Sequence, residues 1–273
     1  MAADPVPVLS LNQRTTNGWS LREALDGCVR AGITAIGLWR DKVEAVGVEV
    51  AARMVADSGL TVTSLCRGGF FSSPGAADDN LRALDEAAAL GAPVLVLVPG
   101  GLPPGSRDLA GARRQVAAGV AALVEPAAAR HVRLALEPMH PMFCADRGVI
   151  CSLDQALDVV EPLPETAGVA LDTYHVWWDP TVADGIRRAA GRLALVQAAD
   201  WSTGPLPQGA LLGRVHVGDG CADIAGIVRL AYSHGYEGPL EVELFNQEIW
   251  DAPGDETLRL MVQRHQVTFA GAG

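Results

Sequence analysis

Four oxygen-bearing side chains stand at the ends of four short apolar segments of this sequence. They are Glu137, Asp172, Gln197 and Glu243, and the segments that precede them read RLAL, GVAL, LALV and LEV. Such segments are typical of buried parallel strands, and parallel α/β folds collect chemistry at the carboxyl ends of their strands. Carboxylate and amide oxygens are hard ligands, so the pattern predicts a site for one divalent ion, Mn²⁺ or Mg²⁺.

These residues lie within a regular alternation of strand-like and helix-like segments. The strand-like segments are rich in Val, Leu and Ala and cover residues 8–12, 35–39, 62–66, 93–99, 133–137, 168–172, 193–197 and 240–244. Helical spacing of Ala and Leu marks the segments between them, at residues 20–31, 43–58, 78–91, 107–130, 152–161, 181–190, 222–234 and 255–269. Eight strands that each precede a helix predict an α/β fold, a single (β/α)8 TIM barrel that spans residues 1–273 as one domain.

Residues suited to the ends of helices agree with this reading. They are Ser20, Ser152 and Asp223 before helices and Gly32, Gly91 and Gly235 after them. The alternative fold is a doubly wound open sheet, which more often carries a glycine-rich phosphate-binding turn after its first strand. The sequence there is LNQRTTNG, which lacks that pattern. The barrel is therefore favoured.

Composition argues against several classes of protein. The chain has 273 residues, 49% of them hydrophobic, which is enough to form the core of one barrel. No apolar run approaches the roughly 18 residues of a membrane span, and the N-terminus lacks the pattern of an export signal, so we expect a cytoplasmic protein. The net charge of −11 argues against nucleic acid as a partner. The five cysteines are scattered without a CxxC pair, which argues against a disulfide framework.

In a barrel, the four oxygen-bearing side chains fall on strands five to eight. These strands are neighbours in the barrel wall, so their ends can converge on one ion. Three carboxylates over-neutralise a divalent cation, which favours binding through hard oxygens. Neither a cysteine nor a clear histidine ligand accompanies them, and a structural zinc site is therefore not expected.

Longer segments of the chain resemble a known superfamily. They are WSLREALDGCVRAGITAIGLW near the start, LALEPMH and LDTYH in the middle, and VQAADW and GYEGPLEVELFN near the end. On these segments the chain resembles the xylose-isomerase-like TIM-barrel superfamily, described as sugar phosphate isomerases/epimerases, which includes ketose 3-epimerases and inosose dehydratases. The resemblance covers nearly the whole chain. It is specific for the superfamily but not for the substrate.

The resemblance assigns metal-binding roles and exposes one departure. By that resemblance, the metal-binding acids are Glu137, Asp172 and Glu243. Gln197 stands where many relatives carry a histidine, and Asp200 matches the acid that follows it. An amide oxygen in place of an imidazole should weaken binding and favour harder ions. The alternative is that His216, in the long loop 201–221, supplies the missing imidazole.

Further residues are expected to contact the substrate. By the resemblance, His175 faces the substrate's oxygens and Arg214 binds near the reacting carbons. Trp39, Arg67 and Asn12 end strands two, three and one; a tryptophan there can stack on the apolar face of a sugar, and the arginine can bind a carboxylate or phosphate. His140 is assigned either to substrate binding or to packing. No cluster of basic residues in the sequence marks a phosphate site.

The predicted function is that of an isomerase or epimerase acting on a polyhydroxylated carbonyl compound such as a keto-sugar. The metal ion lowers the cost of forming an enediolate, and Glu137 and Glu243 remove and return a carbon-bound proton, with His175 as a further catalytic candidate.

Other functions remain open at this point. The same enediolate can expel a β-substituent, so a dehydratase or lyase on an inosose, keto-sugar or keto-glycoside is the main alternative. A non-catalytic barrel that serves as a partner subunit is a second one, and a homo-oligomer is compatible with either. A metal-dependent endonuclease is disfavoured, since such enzymes use more histidine ligands and a basic groove.

Overall fold

The computed structural model describes residues 6–206 and 208–270. The first five residues of the N-terminal segment considered above for export lie outside them. Eight parallel strands close into a barrel in chain order, with β1 paired to both β2 and β8, which confirms the predicted (β/α)8 fold. The strands are β1 (Leu9–Asn12), β2 (Ala35–Trp39), β3 (Thr61–Gly69), β4 (Val94–Val98), β5 (Arg133–Leu136), β6 (Ala167–Asp172), β7 (Leu193–Ala198) and β8 (Leu240–Val242).

Helices cover the outside of the barrel. They are α1 (Leu21–Ala31), α2 (Arg40–Glu44), α3 (Val48–Ser58), α4 (Ala76–Ala89), α5 (Leu109–Ala129), α6 (Leu153–Val160), α7 (Thr173–Val176), α8 (Val182–Arg188), α9 (Ile224–Ser233), α10 (Gln247–Asp251) and α11 (Gly254–Ala270). Among the described residues, no helix combines the length and hydrophobicity needed to cross a membrane.

The predicted helix ends are confirmed where a cap is formed. Ser20 and Glu23 form a reciprocal capping box at the start of α1, and Gly32 ends that helix in the left-handed conformation, with φ of 70°. The side chains of Ser152 and Asp223 accept backbone N–H groups at the starts of α6 and α9. These local bonds fix where each helix begins, as the sequence indicated.

The structure also contains elements that were not predicted, including the short helices α7 and α10, and two regions differ in kind from the prediction. The helix expected at residues 43–58 is two helices, α2 and α3, because Gly47 breaks the backbone with φ of 83°. The loop expected at 201–221 contains a short antiparallel ribbon, in which Asp200–Trp201 pairs with Arg214–Val215. A helix break at one glycine and a short ribbon within a loop produce no periodic hydrophobic pattern, so the sequence did not predict them.

The barrel interior is apolar on one side and polar on the other. The apolar side is filled by Cys66, Val94, Val96, Ala135, Ala170 and Leu195. The polar side is centred on Glu241, which is fully buried. Its carboxylate accepts hydrogen bonds from Asn12 Nδ2 (2.7 Å), Gln197 Nε2 (2.8 Å) and Ser64 Oγ (2.8 Å), and from the hydroxyl of Thr63. This network ties four strands together beneath their carboxyl ends.

Candidate active site

Three of the predicted acids meet at the carboxyl end of the barrel. Glu137 directly follows β5, Asp172 ends β6 and Glu243 follows β8, and all three are at most 5% exposed. Glu137 and Glu243 line one cavity of about 170 Å³, and Asp172 lies buried behind it. The other lining residues are Arg14, Trp39, Cys66, Arg67, Val96, Val98, Met139, Arg147, His175, Leu211, Arg214 and Phe245.

His175 is turned toward these acids by the short helix α7. Asp172 starts that helix by accepting the N–H of Tyr174 at 2.9 Å. The Nε2 atom of His175 lies 3.7 Å from Asp172 Oδ2 and 3.8 Å from Glu137 Oε1. One ligand atom from each of these three residues lies within 4.8 Å of the others, so the group could hold a metal ion.

Both ring nitrogens of His175 have neighbours. Nδ1 accepts the backbone N–H of His140 at 3.2 Å. Burial and the nearby charge of Arg214 hold the pKa of His175 well below its ordinary value, so the ring is neutral. A neutral ring that accepts at Nδ1 carries its proton on Nε2, whereas Arg214 Nη2, which can only donate, lies 3.3 Å from Nε2 and favours the other tautomer. In either tautomer, Nε2 faces the acids and the cavity.

Arg214 is buried between two of the acids. Its Nη1 lies 2.6 Å from Asp172 Oδ2 and 3.1 Å from Glu243 Oε2. The backbone of Arg214 is fixed by the segment after β8. The Arg214 N–H donates to the carbonyl of Phe245 at 3.3 Å, and the Arg214 carbonyl accepts from Asn246 Nδ2 at 2.9 Å. A loop arginine was expected at the cavity, and the structure brings it into the acid cluster itself.

The cluster holds three buried acids against one cation. Three carboxylates, those of Glu137, Asp172 and Glu243, face one guanidinium. Burial is the largest cause that raises the pKa of Glu137 well above its usual range, and the charges of the other two acids add to it. Burial also raises the pKa of Glu243 to about 8, against the opposing effect of Arg214. Because uncompensated buried charge is costly, these acids tend to stay protonated, and a divalent cation would favour their ionised forms.

Gln197 pairs with Asp172 across neighbouring strands but is not among the residues that line the cavity. Its Nε2 donates to Glu241 at 2.8 Å, whereas its buried Oε1 has no hydrogen-bond partner among the described residues. An unsatisfied buried amide oxygen beside carboxylates is a further candidate ligand. His216 lies elsewhere, in a pocket with Val217 and Met261 beside α11. The geometry therefore gives no support to His216 as the source of a missing imidazole.

The substrate-binding predictions divide into two groups. Trp39 and Arg67 line the cavity, as expected. Asn12 does not line it, because its side chain bonds Glu241 and accepts Trp39 Nε1 at 2.7 Å. His140 also lies outside the lining and stacks on Trp201 with ring centroids 4.9 Å apart. Asn12 and His140 thus contact neighbouring side chains outside the cavity lining, and their part in substrate binding stays a prediction.

Several residues of the site were missed by the sequence analysis. Arg147 lines the cavity from the segment between β5 and α6, which has no periodicity to mark it. Arg14 and Phe245, which follow β1 and β8, also line the cavity but were not predicted from the sequence.

Asp200 matched a site acid by resemblance, but its role is structural. Its carboxylate accepts the N–H groups of Trp201, Gly218, Gly220 and Ala222 at 2.8–3.1 Å. These bonds join the two ends of the loop that presents Leu211 and Arg214 to the cavity. Asp200 therefore holds the loop over the barrel mouth.

Comparison with known proteins agrees with this architecture. The family model described as xylose isomerase-like TIM barrel matches residues 25–264. The chain belongs to that family. Among proteins with curated functional descriptions, none is significantly similar in sequence.

Three solved structures illustrate the likeness. Protein SMc04130 from Sinorhizobium meliloti 1021 is 45% identical, with 96% of this chain and 98% of that chain covered and a TM-score of 0.91. The IolI protein with a bound zinc atom is 18% identical over 97% of this chain and 99% of that one, with a TM-score of 0.85. D-allulose 3-epimerase from Methylomonas sp. is 20% identical over the same shares, with a TM-score of 0.74. At such low identity, the last two show the shared fold alone.

Proposed function

We propose that the protein is a divalent-metal-dependent enzyme of the sugar isomerase/epimerase type. The observation that carries the proposal is the pair of buried acids, Glu137 and Glu243, that line one cavity beside the buried Asp172. The fold it shares with a D-allulose 3-epimerase and with a zinc-bound IolI protein supports it. The substrate class is a small polyhydroxylated carbonyl compound.

The donor atoms of the site fit a divalent ion. When the three acids are ionised, their charge less that of Arg214 is −2, which a divalent ion balances. The unpartnered Oε1 of Gln197 offers another oxygen. We assign the ion to Glu137, Asp172, Gln197 and Glu243, with Mn²⁺ or Mg²⁺ preferred by this set of oxygens. When bound, such an ion supplies positive charge that stabilises negative charge developing on the substrate's oxygens.

The proton transfers fall to the two glutamates. The only lysine of the chain, Lys42, donates to the carbonyl of Asn17 and is not part of the cavity lining. Glu137 and Glu243 directly follow strands β5 and β8, so they reach a substrate in the cavity from different sides. One removes the proton next to the carbonyl and the other delivers a proton. Delivery to the opposite face of the same carbon gives epimerisation. Delivery to the former carbonyl carbon gives isomerisation, with a proton moving from the hydroxyl oxygen that becomes the new carbonyl to the former carbonyl oxygen.

His175 and Arg214 orient the substrate in this scheme. His175 presents Nε2 to the cavity, where it can bond a substrate hydroxyl, and Arg214 offers N–H donors beside Glu243. Buried donors of this kind need no reorganisation when charge develops.

Solvent exchange tests the proposal directly. The metal-loaded protein would be incubated in D₂O with ketoses, inososes and keto-glycosides, and deuterium at carbon would be followed by NMR. We expect deuterium at the carbon next to the carbonyl, together with loss of activity in chelator. Full activity in EDTA with no divalent metal by elemental analysis would overturn the metal assignment. A product that has lost water or an aglycone would instead identify a dehydratase or lyase.

A further inference from the structure

Four arginines line the cavity, and they differ in their partners. Arg14 bonds Asp41 at 2.8 Å, and Arg214 bonds Asp172 at 2.6 Å. Arg67 and Arg147 form neither a side-chain hydrogen bond nor an ion pair with any of the residues that the structure describes. The guanidinium of Arg67 lies 4.0 Å from the ring centre of Phe70, a contact that leaves its N–H groups free. Two arginines at the same cavity therefore have unused donors.

The loop after β4 brings these two arginines to the same cavity. The N–H of Gly100 donates to the carbonyl of Arg147 at 2.8 Å. On its other side, a Cβ on Gly100 would lie 3.0 Å from Cα of Phe70, and its φ of 88° also favours glycine. Phe70 in turn donates its N–H to the carbonyl of Val98 at 2.7 Å. The end of β3, which carries Arg67, and the segment that carries Arg147 are thus both packed against the turn at Gly100.

The charge of this part of the cavity runs against that of the whole protein. The chain has a net charge of −11, yet two half-buried guanidinium groups face the cavity without acid partners. Burial and then the positive charge of Arg147 lower the pKa of Arg67, which shows that the two charges interact. Holding two like charges together is unfavourable unless an anion joins them. A guanidinium is also well shaped to bind two oxygens of one carboxylate or phosphate.

We propose that Arg67 and Arg147 form a binding site for an oxyanion, the terminal carboxylate or phosphate of the substrate. That the anion belongs to the substrate rests on the proposed function, whereas the anion site itself does not. A cavity of about 170 Å³ admits a small molecule with the anion at one end and its carbonyl near Glu137 and Glu243. The enzyme would then act on an acidic or phosphorylated keto compound and discriminate against neutral sugars.

Binding of simple anions tests the site without any assumption about catalysis. Inorganic phosphate and D-glycerate would be titrated by calorimetry in EDTA, so that no metal ion contributes. We expect Arg67→Met and Arg147→Met each to weaken binding by about tenfold or more, as the loss of a charged hydrogen bond implies. Arg67→Lys and Arg147→Lys should retain part of the affinity, because lysine keeps the charge but not the planar fork. Arg22→Met, at an exposed arginine, is the control and should bind as wild type does.

The folding of the variants can be checked independently. Neither arginine has an ion-pair partner among the described residues, so their removal should not lower the melting temperature. Phosphate should raise the melting temperature of wild type more than it raises the melting temperature of the double variant Arg67→Met/Arg147→Met. If neither anion binds wild type, or if the Met variants bind as tightly as the Arg22→Met control, the assignment is overturned.

Deuterium exchange then separates this site from the proposed function. D-ribulose, D-ribulose 5-phosphate and 2-keto-D-gluconate provide a neutral, a phosphorylated and a carboxylated probe. We expect a lower KM for one of the anionic probes, and we expect the double Met variant to lose that preference. Arginine-dependent anion binding with no exchange on any probe would uphold the site and overturn the function. Exchange on the neutral probe, unchanged in the double variant, together with arginine-independent anion binding, would uphold the function and overturn the site.

Discussion

At the scale of single residues, the proposed chemistry depends on which group moves the proton. Glu137→Gln and Glu243→Gln keep an oxygen ligand but remove the base, so each should retain bound metal. Loss of a general base costs about 10²–10⁴ in rate, and we expect deuterium exchange to fall by that factor. His175→Ala should have a smaller effect, mainly on KM, because His175 orients the substrate. NMR-detected exchange and elemental analysis measure both quantities.

The control for this experiment is Glu125→Gln, at an exposed glutamate, which should exchange at the wild-type rate. Abolished exchange in His175→Ala, with exchange retained in both Glu→Gln variants, would make the histidine the base and refute the two-glutamate mechanism.

Arg214 offers a second test, because it is the only cation bonded within the acid cluster among the described residues. Arg214→Met leaves three buried carboxylates without their ion-pair partner, and removing one partner of such a pair typically costs about 3–5 kcal/mol. At roughly 2–4 °C per kcal/mol for a chain of about this size, the melting temperature in EDTA should fall by about 10 °C. Mn²⁺ should recover more stability in the variant than in wild type. Differential scanning calorimetry measures both shifts.

Arg30→Met serves as the matched control for Arg214→Met. It breaks an exposed ion pair with Asp255, and exposed pairs contribute about 0–1 kcal/mol. Equal melting temperatures of Arg214→Met and wild type in EDTA would show that the buried pair contributes nothing.

At the scale of elements, the loop over the barrel mouth depends on Asp200. Asp200→Asn replaces one acceptor oxygen by an amide that faces backbone N–H donors, such as those of Gly218 and Gly220. We expect the loop to open more often, which limited proteolysis with mass spectrometry would detect as faster cleavage within residues 202–217. KM should rise with it, because the loop carries Arg214.

The control for the loop is Asp223→Asn. Asparagine caps a helix as well as aspartate does, so the start of α9 should be unaffected and cleavage unchanged. An unchanged cleavage rate in Asp200→Asn would show that its hydrogen bonds do not hold the loop.

A second element-scale prediction concerns the polar layer inside the barrel. Glu241→Gln places an amide against neighbouring donors, and each unsatisfied buried donor costs about 1–3 kcal/mol. The melting temperature should therefore fall, and Glu237→Gln, at an exposed position, should leave it unchanged. Equal melting temperatures for the two variants would mean that the layer tolerates an amide.

At the scale of the whole molecule, metal binding and stability are linked. An ion that binds only the folded state stabilises it by about 2.7 kcal/mol at a concentration of 100 Kd. We therefore expect Mn²⁺ to raise the melting temperature of wild type by several degrees over EDTA. Asp172→Asn removes one charge from the site and should reduce that shift. The absence of any shift in wild type, with no metal found by elemental analysis, would contradict the metal site.

Local patterns in the sequence determined much of the architecture. The strand expected at 35–39 is observed as Ala35–Trp39, and the one expected at 168–172 as Ala167–Asp172. Apolar runs, helical spacing and capping residues act over a few neighbours in the chain, so they can be read without a structure. The barrel followed from their count and order. Because strand ends share one face of a barrel, Glu137 and Glu243 could also be placed together.

Only the tertiary structure decided how these residues are paired. Arg214, Arg147 and Gln197 lie far in the chain from Asp172, Arg67 and Glu241, with which they share the site or the layer beneath it. Such pairings are set by barrel closure and by loops such as the one held by Asp200. A loop has no period and a hydrogen bond across the barrel leaves no local pattern. The sequence therefore specified which chemical groups reach the barrel mouth, and packing decided which of them are neutralised and which face the cavity unpaired.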